Sequence, residues 1–308
     1  MRTWIRSRLS SLYERTLERE IGDGPTHVAV IQDGNRRYAR RRGDAPPDGH
    51  RAGAKTTENV LNWCEELGIE ELTLYAFSTE NFERPPEERE ALYDLLCEKL
   101  SEFADADRVH DRGVRIRAIG ELELLPARVR RVARYAEERT SEYDRFTLNV
   151  ALAYGGRAEL LGAARDAARA VEAGALSAED ITVEELDSRL YDARVRDVDL
   201  IIRTGGDERT SNFLPWHANG NEAAVFFCAP YWPEFSRVDF LRAVRTYEHR
   251  EASWRRSRRD RALTLVGALS DVDLPRARTV IDRAGESIPT DDPTGAEPEA
   301  LSPGESAD

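Results

Sequence analysis

The sequence predicts a single α/β domain with a central, mainly parallel sheet flanked by helices. Three observations carry that reading. Short apolar runs such as Val28 to Ile31, Leu72 to Phe77 and Val198 to Ile202 have the length of strands buried on both faces. Stretches of helical period separate them, and such alternation builds parallel sheets. Polar segments rich in Gly and Arg follow several runs at once, where open α/β sheets hold their ligands.

Taken in order, residues 1–21 predict a helix with Ile5, Leu9, Leu12, Tyr13 and Leu17 on one stripe. Its polar face mixes Arg and Glu, which favours packing on the body of the protein over lying on a membrane. Val28 to Ile31 is the first strand. Residues 44–49 read as a loop, because Pro, Asp and Gly cluster there. The helix after His50 turns Val60, Leu61, Cys64 and Leu67 inward, with Gly68 as its natural C-cap. Leu72 to Phe77 is the second strand. Pro85 and Pro86 restart a helix whose apolar face is Leu92, Leu95, Leu96, Leu100 and Phe103. Val114 to Ile119 is strand three, Pro126 opens an Arg-rich helix, and Phe146 to Ala151 is strand four. Tyr154-Gly155-Gly156-Arg157 turns the chain into another helix. Thr182 with Glu185 forms a capping box. Val198 to Ile202 and Ala223 to Cys228 are the last strands, and a helix over about 238–248 closes the core. The periodicity weakens from about Asp260, and Pro, Gly, Ser and acids beyond Glu286 predict disorder. The expected organisation is an N-terminal helix over 1–22, a catalytic domain over 23–258 and an acidic extension over 259–308.

At 308 residues and 40% hydrophobic content the chain can bury a sizeable core. No apolar run reaches the ~18 residues of a transmembrane helix. The N-terminus lacks the apolar core of a signal peptide. Cys64, Cys97 and Cys228 are odd in number and lack metal-ligand spacing, which fits buried thiols in a cytoplasmic protein. The net charge of −13, with Lys55 and Lys99 the only lysines, suggests a halophilic archaeon; a GC-rich genome would also favour Arg. So acidic a protein is a poor nucleic-acid binder. Salt at 1 M would shorten the reach of its repulsion for an anionic substrate to a Debye length of ~3 Å.

Three strand ends carry one kind of polar kit. The first is Asp33-Gly34-Asn35-Arg36-Arg37, the second runs from Ser78 to Arg84, and the third from Arg203 to Asn212. Gly34 would let backbone N–H groups approach an anion closely. The arginines supply forked donors for phosphate oxygens. Asp33 has the hardness for Mg²⁺, which arrives with substrate phosphates and needs only one or two carboxylates. Any one such segment would more often be an ordinary solvated turn. Three on one sheet rim indicate two diphosphate subsites, and chemistry in which diphosphate leaves.

These blocks closely resemble the cis-prenyltransferases, the undecaprenyl diphosphate synthase family. The likeness runs from about His27 to Arg250. It rests on residues 27–37, Gly49-His50-Arg51-Ala52-Gly53, residues 72–82, 149–157 and 199–206, and Ser211-Asn212-Phe213-Leu214. It implies sequential condensation of isopentenyl diphosphate onto an allylic diphosphate, each new double bond cis. It also implies Mg²⁺, a homodimer, an apolar product tunnel and transient peripheral membrane contact at product release. The halophilic composition points to an archaeal carrier-lipid pathway, hence geranylgeranyl diphosphate as starter and a tritrans,polycis-undecaprenyl-like product.

The resemblance also assigns roles. Asp33 matches the essential aspartate that holds Mg²⁺ and the allylic diphosphate, and Glu222 the second acid associated with the metal. A short insertion separates Glu222 from Trp232. Gly34, Asn35, Arg36 and Arg37 match the phosphate-binding turn, and Tyr38 stands where the bacterial pattern usually has Trp. His50, Ser78, Thr79 and Glu80 match residues around the allylic diphosphate, and Phe82 and Arg84 complete that block. Asn81 matches a residue described as proton acceptor. A carboxamide is a poor base at neutral pH, so a positioning role is expected for it, with a diphosphate oxygen or water taking the proton. Arg203, Arg209, Thr210 and Ser211 match the isopentenyl diphosphate site. Where the family has an Arg, this chain has Pro46, with Arg41, Arg42 and Arg51 as candidates to compensate. Ala91, Leu92, Leu95 and Leu96 are expected along the tunnel, though they equally suit core packing. Two further readings are a non-catalytic supporting subunit, which would lack the Asp33 motif, and a Mg²⁺-dependent phosphohydrolase, which would want a second acid beside Asp33.

Overall fold

The computed structural model describes residues 13–22, 24–190, 195–218 and 223–269, with side chains to 256. Residues 13–20 form helix α1. The elements that follow are β1 (His27–Ile31), α2 (Asn35–Arg42), α3 (Pro46–Glu66), β2 (Glu71–Ser78), α4 (Pro86–Asp105), α5 (Asp107–Asp111) and β3 (Val114–Ile119). Then come α6 (Ala127–Arg139), β4 (Phe146–Tyr154), α7 (Gly156–Glu172), α8 (Val183–Asp187), β5 (Leu200–Arg203), β6 (Ala224–Phe227) and α9 (Arg237–Leu269). The chain divides into residues 1–250 and 251–308, and the sheet lies in the first unit.

The six described strands run in the order β3-β4-β2-β1-β5-β6, and every pairing is parallel. Both faces are covered, which explains the unbroken apolar runs. Along β1, Val28 and Val30 join the core on one face while Ala29 and Ile31 join the core on the other. Strand β5 divides likewise, with Leu200 and Ile202 opposite Ile201. The chain leaves β1 towards β2 on one side and returns through β5 on the other. The β1/β5 boundary is therefore a topological switch point, where α/β sheets open a crevice. Ile31 and Arg203 are register partners there, so the loops after both strands meet at one spot.

Several boundaries differ from expectation. Of the loop expected over 44–49, only residues 44 and 45 are non-helical; α3 already begins at Pro46. Pro46 occupies the first helical turn, where its missing N–H costs nothing, and Asp48 Oδ2 accepts from Ala45 N at 3.3 Å. Strand β4 continues past Ala151 to Tyr154, and α9 continues past Glu248 to Leu269. Of the N-terminal stripe, Leu17 is fully buried and Tyr13 exposed; Ile5, Leu9 and Leu12 lie outside the described residues, as does the tail beyond 269. Glu18 and Glu20 pair with Arg237 and Arg245, fastening α1 to the start of α9. Cys64 and Cys228 are buried free thiols, and Cys97 is half-buried. No described helix is long and apolar enough to cross a membrane.

Candidate active site

Asp33 follows β1 and is fixed through its main chain. Its N–H donates to Ile31 O (2.9 Å) and Thr204 Oγ1 (3.1 Å). Its carbonyl accepts from Thr204 Oγ1 (2.7 Å) and Trp232 N (2.9 Å). The next residue must be glycine. Gly34 has φ 100°, and a Cβ there would stand 2.6 Å from the Tyr231 ring. The carboxylate is thereby aimed at three cationic or dipolar donors. Oδ1 accepts from Gly34 N (2.6 Å) and faces Arg37 Nη2 (3.1 Å), and Oδ2 accepts from Arg203 Nη2 (2.7 Å). Burial raises the pKa of Asp33, but Arg203 and Arg37 outweigh it and hold the carboxyl below its ordinary value.

Arg203 is only 3% exposed and organises the second subsite. Its Nη1 donates to Arg209 O (2.6 Å) and to Ser211 Oγ, while Nη2 also reaches Asp207 Oδ2 at 3.4 Å. Its Nε is buried without an acceptor among the described residues. A guanidinium with one donor unsatisfied is prepared for an incoming anion. Asp207 also contacts Arg209 (3.1 Å) and Arg37 (3.9 Å). Two carboxylates thus hold three arginines together without a ligand.

A second cluster lies across the opening. Glu88 pairs with Arg84 at 2.5 Å and lies 3.7 Å from Arg36 and 4.0 Å from His50. Burial, then the nearby Arg84, push His50 down to about 4, so at neutral pH it is an uncharged imidazole. Asn81 Oδ1 accepts from Ser78 N (3.0 Å), which fixes its carboxamide.

These groups surround the mouth of a cavity of about 370 Å³, within the range of small-molecule sites. Asp33, Asn35, Arg36, His50, Ser78, Glu80, Asn81, Arg84, Arg203, Arg209 and Ser211 all line it. Its more buried wall is mainly apolar, with Leu74, Ile116, Leu148 and Val150 from the sheet and Leu92, Leu95, Leu96, Leu100 and Phe103 from α4, where Lys99 also lines it.

Other expected site residues lie elsewhere. Gly34 and Arg37 act from behind Asp33, as described. Tyr38 is half-buried on α2, 5.5 Å beneath the Arg42 guanidinium. Thr79 faces Gly155. Phe82 packs edge-on against Phe77 at 5.1 Å, in the core rather than the opening. Thr210 offers its carbonyl to Phe213 N. Glu222 lies outside the described residues. Ala91 borders a smaller neighbouring cavity of about 110 Å³, with His50, Arg51, Leu92 and Leu95, and does not line the main one. Of the arginines expected to compensate for Pro46, Arg41 pairs with Glu234, Arg42 with Asp44 and Arg51 with Asp48, and none lines the main cavity. Asp207, Glu88 and Tyr231 were not foreseen. In a chain with 58 acidic residues, no local pattern distinguishes the two that organise arginines.

No three metal-ligating side chains gather among the described residues. The donor set nevertheless suits Mg²⁺ carried in on a diphosphate. Asp33 engages three donors out of about four lone-pair positions, leaving one free, and Mg²⁺ takes its remaining ligands from phosphate and water.

Comparison with known proteins agrees with this geometry. The family profile described as putative undecaprenyl diphosphate synthase matches residues 31–255. A Halobacterium salinarum protein named tritrans,polycis-undecaprenyl-diphosphate synthase (geranylgeranyl-diphosphate specific) is 65% identical, covering 98% of this chain and 99% of that one. A protein of the same name from Methanocaldococcus jannaschii is 48% identical over 78% of this chain and 86% of its own length. Among solved structures, lavandulyl diphosphate synthase from Lavandula x intermedia, in complex with dimethylallyl diphosphate, superposes with a TM-score of 0.67 at 31% identity, over 73% of this chain and 95% of that one. A probable undecaprenyl diphosphate synthase from Campylobacter jejuni gives 0.59 at 32% identity, with the same coverage. With a profile across most of its length and relatives this similar, the chain belongs to the undecaprenyl diphosphate synthase family of cis-prenyltransferases.

Proposed function

We propose that this chain is a cis-polyprenyl diphosphate synthase. It adds isopentenyl diphosphate units in succession to geranylgeranyl diphosphate, giving a tritrans,polycis-undecaprenyl-like diphosphate. One observation carries the reading: the Asp33–Arg203–Arg37 cluster stands at the polar mouth of a deep apolar cavity. Such a site suits a molecule with a diphosphate at one end and hydrocarbon at the other. The starter is the one for which the archaeal relatives are named.

The chemistry assigned to each residue follows from charge. Asp33, Gly34, Asn35, Arg36 and Arg37 hold the allylic diphosphate, with His50 as a neutral N–H donor and Ser78, Glu80 and Arg84 around it. Arg203, Arg209 and Ser211 hold the isopentenyl diphosphate. Asp33, with Glu222 and the diphosphate, would hold Mg²⁺, which when bound would supply Lewis-acid stabilisation of the leaving group. The arginines stabilise the charge that grows on diphosphate as the allylic C–O bond breaks. The isopentenyl double bond attacks the allylic carbon, and a proton then leaves to diphosphate oxygen or water. Asn81 positions the reacting groups; its oxygen is already engaged by Ser78 N, which supports positioning over proton abstraction. Holding both diphosphates fixes the attack geometry, worth ~7–11 kcal/mol in favourable systems. The proposal includes a cytoplasmic homodimer that touches a membrane transiently as product leaves.

The test supplies labelled isopentenyl diphosphate and Mg²⁺ in high salt, with geranyl, farnesyl and geranylgeranyl diphosphates offered separately. Long cis products with the C20 starter, lost in Asp33→Ala, are expected. A folded protein that makes none from any starter overturns the proposal.

A further inference from the structure

The Tyr154-Gly155-Gly156-Arg157 turn has no part in the chemistry above, yet the loop after β5 is seated on it. In that loop Ser211 and Asn212 have φ of 49° and 61°. Two consecutive residues with side chains in the left-handed region are uncommon, and they persist where their surroundings over-determine them. Here the surroundings are the first turn of α7. Gly156 N donates to Asn212 O at 2.9 Å, and Arg157 N donates to Asn212 Oδ1 at 2.8 Å. These are two of the N–H groups a helix start leaves unpaired. The residue before the helix, Gly155, has no side chain to serve them. Asn212 therefore caps α7 from another loop.

The approach requires the glycine pair. A Cβ on Gly156 would stand 2.1 Å from Pro215 Cδ and 3.0 Å from Asn212 O; one on Gly155 would stand 2.9 Å from Thr79 Oγ1. On one side of Asn212, Phe213 is buried and stacked on Tyr75 at 4.4 Å. On the other, Ser211 Oγ accepts hydrogen bonds from Arg203 Nη1 and, at 3.3 Å, from Arg209 Nε. The cap thus ends one residue from the hydroxyl on which both arginines converge.

We propose that Asn212 is a positioning residue: by capping α7 it holds Ser211, and through it Arg203 and Arg209, in the arrangement that binds isopentenyl diphosphate. The inference rests on the synthase reading given above.

The test titrates the full-length chain with isopentenyl diphosphate alone, so no turnover occurs, and separately with geranylgeranyl diphosphate. Asn212→Gly keeps the left-handed backbone without strain and removes only the side-chain cap. Its Kd for isopentenyl diphosphate should weaken about tenfold, the scale of a lost cap, while that for geranylgeranyl diphosphate stays within about twofold. Asn212→Asp retains the acceptor and should restore most of the affinity. Arg157→Pro deletes the donor from the helix side, in a first turn that tolerates proline, and should reproduce the selective loss should Asn212→Gly not fold. Unchanged isopentenyl diphosphate binding in Asn212→Gly or Arg157→Pro overturns the proposal, as does equal weakening of both ligands. A wild-type chain that neither binds isopentenyl diphosphate nor extends any starter overturns the synthase reading itself, and the tether with it.

Discussion

Arg203 and Asp33 are joined by a 2.7 Å Nη2–Oδ2 contact that closes the gap between the ends of two neighbouring parallel strands. The same guanidinium reaches Arg209 O and Ser211 Oγ through its other terminal nitrogen. One fork therefore ties the two candidate diphosphate subsites together. A lysine has no such planar fork. Arg203→Lys should lower incorporation of labelled isopentenyl diphosphate by at least about a hundredfold, the cost of a removed electrostatic donor. Asp33→Asn should be as damaging, yet fold, because Asp207 remains 3.4 Å from Arg203 as a counter-charge. Wild-type rates in either variant would disconnect this pair from the chemistry.

Metal removal should separate catalysis from folding. No described cluster of three ligands exists to make a metal structural, and Asp33 alone needs a diphosphate to complete a Mg²⁺ shell. Chelation should stop turnover, with activity returning on Mg²⁺ addition, while the melting temperature shifts by less than about 2 °C, no more than about 1 kcal/mol of stability. A large drop in melting temperature would reveal a structural ion.

The fold and half of the site are readable in the chain because their signals are local. Val28 to Ile31 is apolar without interruption, since both faces are covered, and Asp33-Gly34 marks the strand end. The helix start at Pro46 does not read as one because Pro46, Pro47 and Gly49 are turn residues by composition, and the Asp48–Ala45 contact that supports it exists only in the folded chain. Phe82 sits inside a motif of site residues, but its ring turns towards Phe77 and away from the opening. Asp207 and Glu88 acquire meaning only from arginines far away in sequence or on another element. Asn212 is similar, its partner Arg157 lying on the far side of α7 and α8 in the chain.

His27 should make stability depend on pH. It is fully buried, with Nε2 2.8 Å from Thr73 Oγ1 and Nδ1 2.9 Å from Arg196 O. Burial pushes it down to about 4, against the pull of Arg196 O and Asp199. The unfolded chain, with an ordinary His near 6.5, binds the proton more readily. Its contribution is therefore full above about pH 6.5 and lost as pH falls towards 4, on the order of 3 kcal/mol. His50, also pushed down to about 4, acts in the same direction. Urea unfolding at pH 7.5 and 4.5 should show the loss, and His27→Gln should flatten part of it. An unchanged slope in that variant would exclude His27 as a source.

Gly53 permits the close contact of α3 with the phosphate-binding turn. A Cβ there would stand 2.3 Å from Asn35 Oδ1 and 2.7 Å from Trp232 Cδ1, and Trp232 is fully buried with its Nε1 bonded to Gly53 O. Both contacts are closer than 3.0 Å, so Asn35 must move and either α3 or the indole must shift with it. Gly53→Ala should cost ~1–3 kcal/mol by overpacking and raise KM for the allylic diphosphate. Unchanged stability and KM would mean that α3 shifts freely, contrary to this packing.

Product length discriminates between two neighbouring walls. Leu148 on β4 is buried and lines the main cavity, whereas Ala91 lines only the smaller neighbouring cavity. A growing hydrocarbon chain in that cavity meets Leu148 and not Ala91. Leu148→Trp fills part of the space and should shift the products towards shorter chains. Overpacking should cost this variant ~1–3 kcal/mol of stability, so melting curves must accompany the assay. Ala91→Leu should leave the product distribution as it is. The reverse pattern, with Ala91→Leu shortening the product and a folded Leu148→Trp leaving it unchanged, would place the chain in the smaller cavity and remove the main cavity from the reaction.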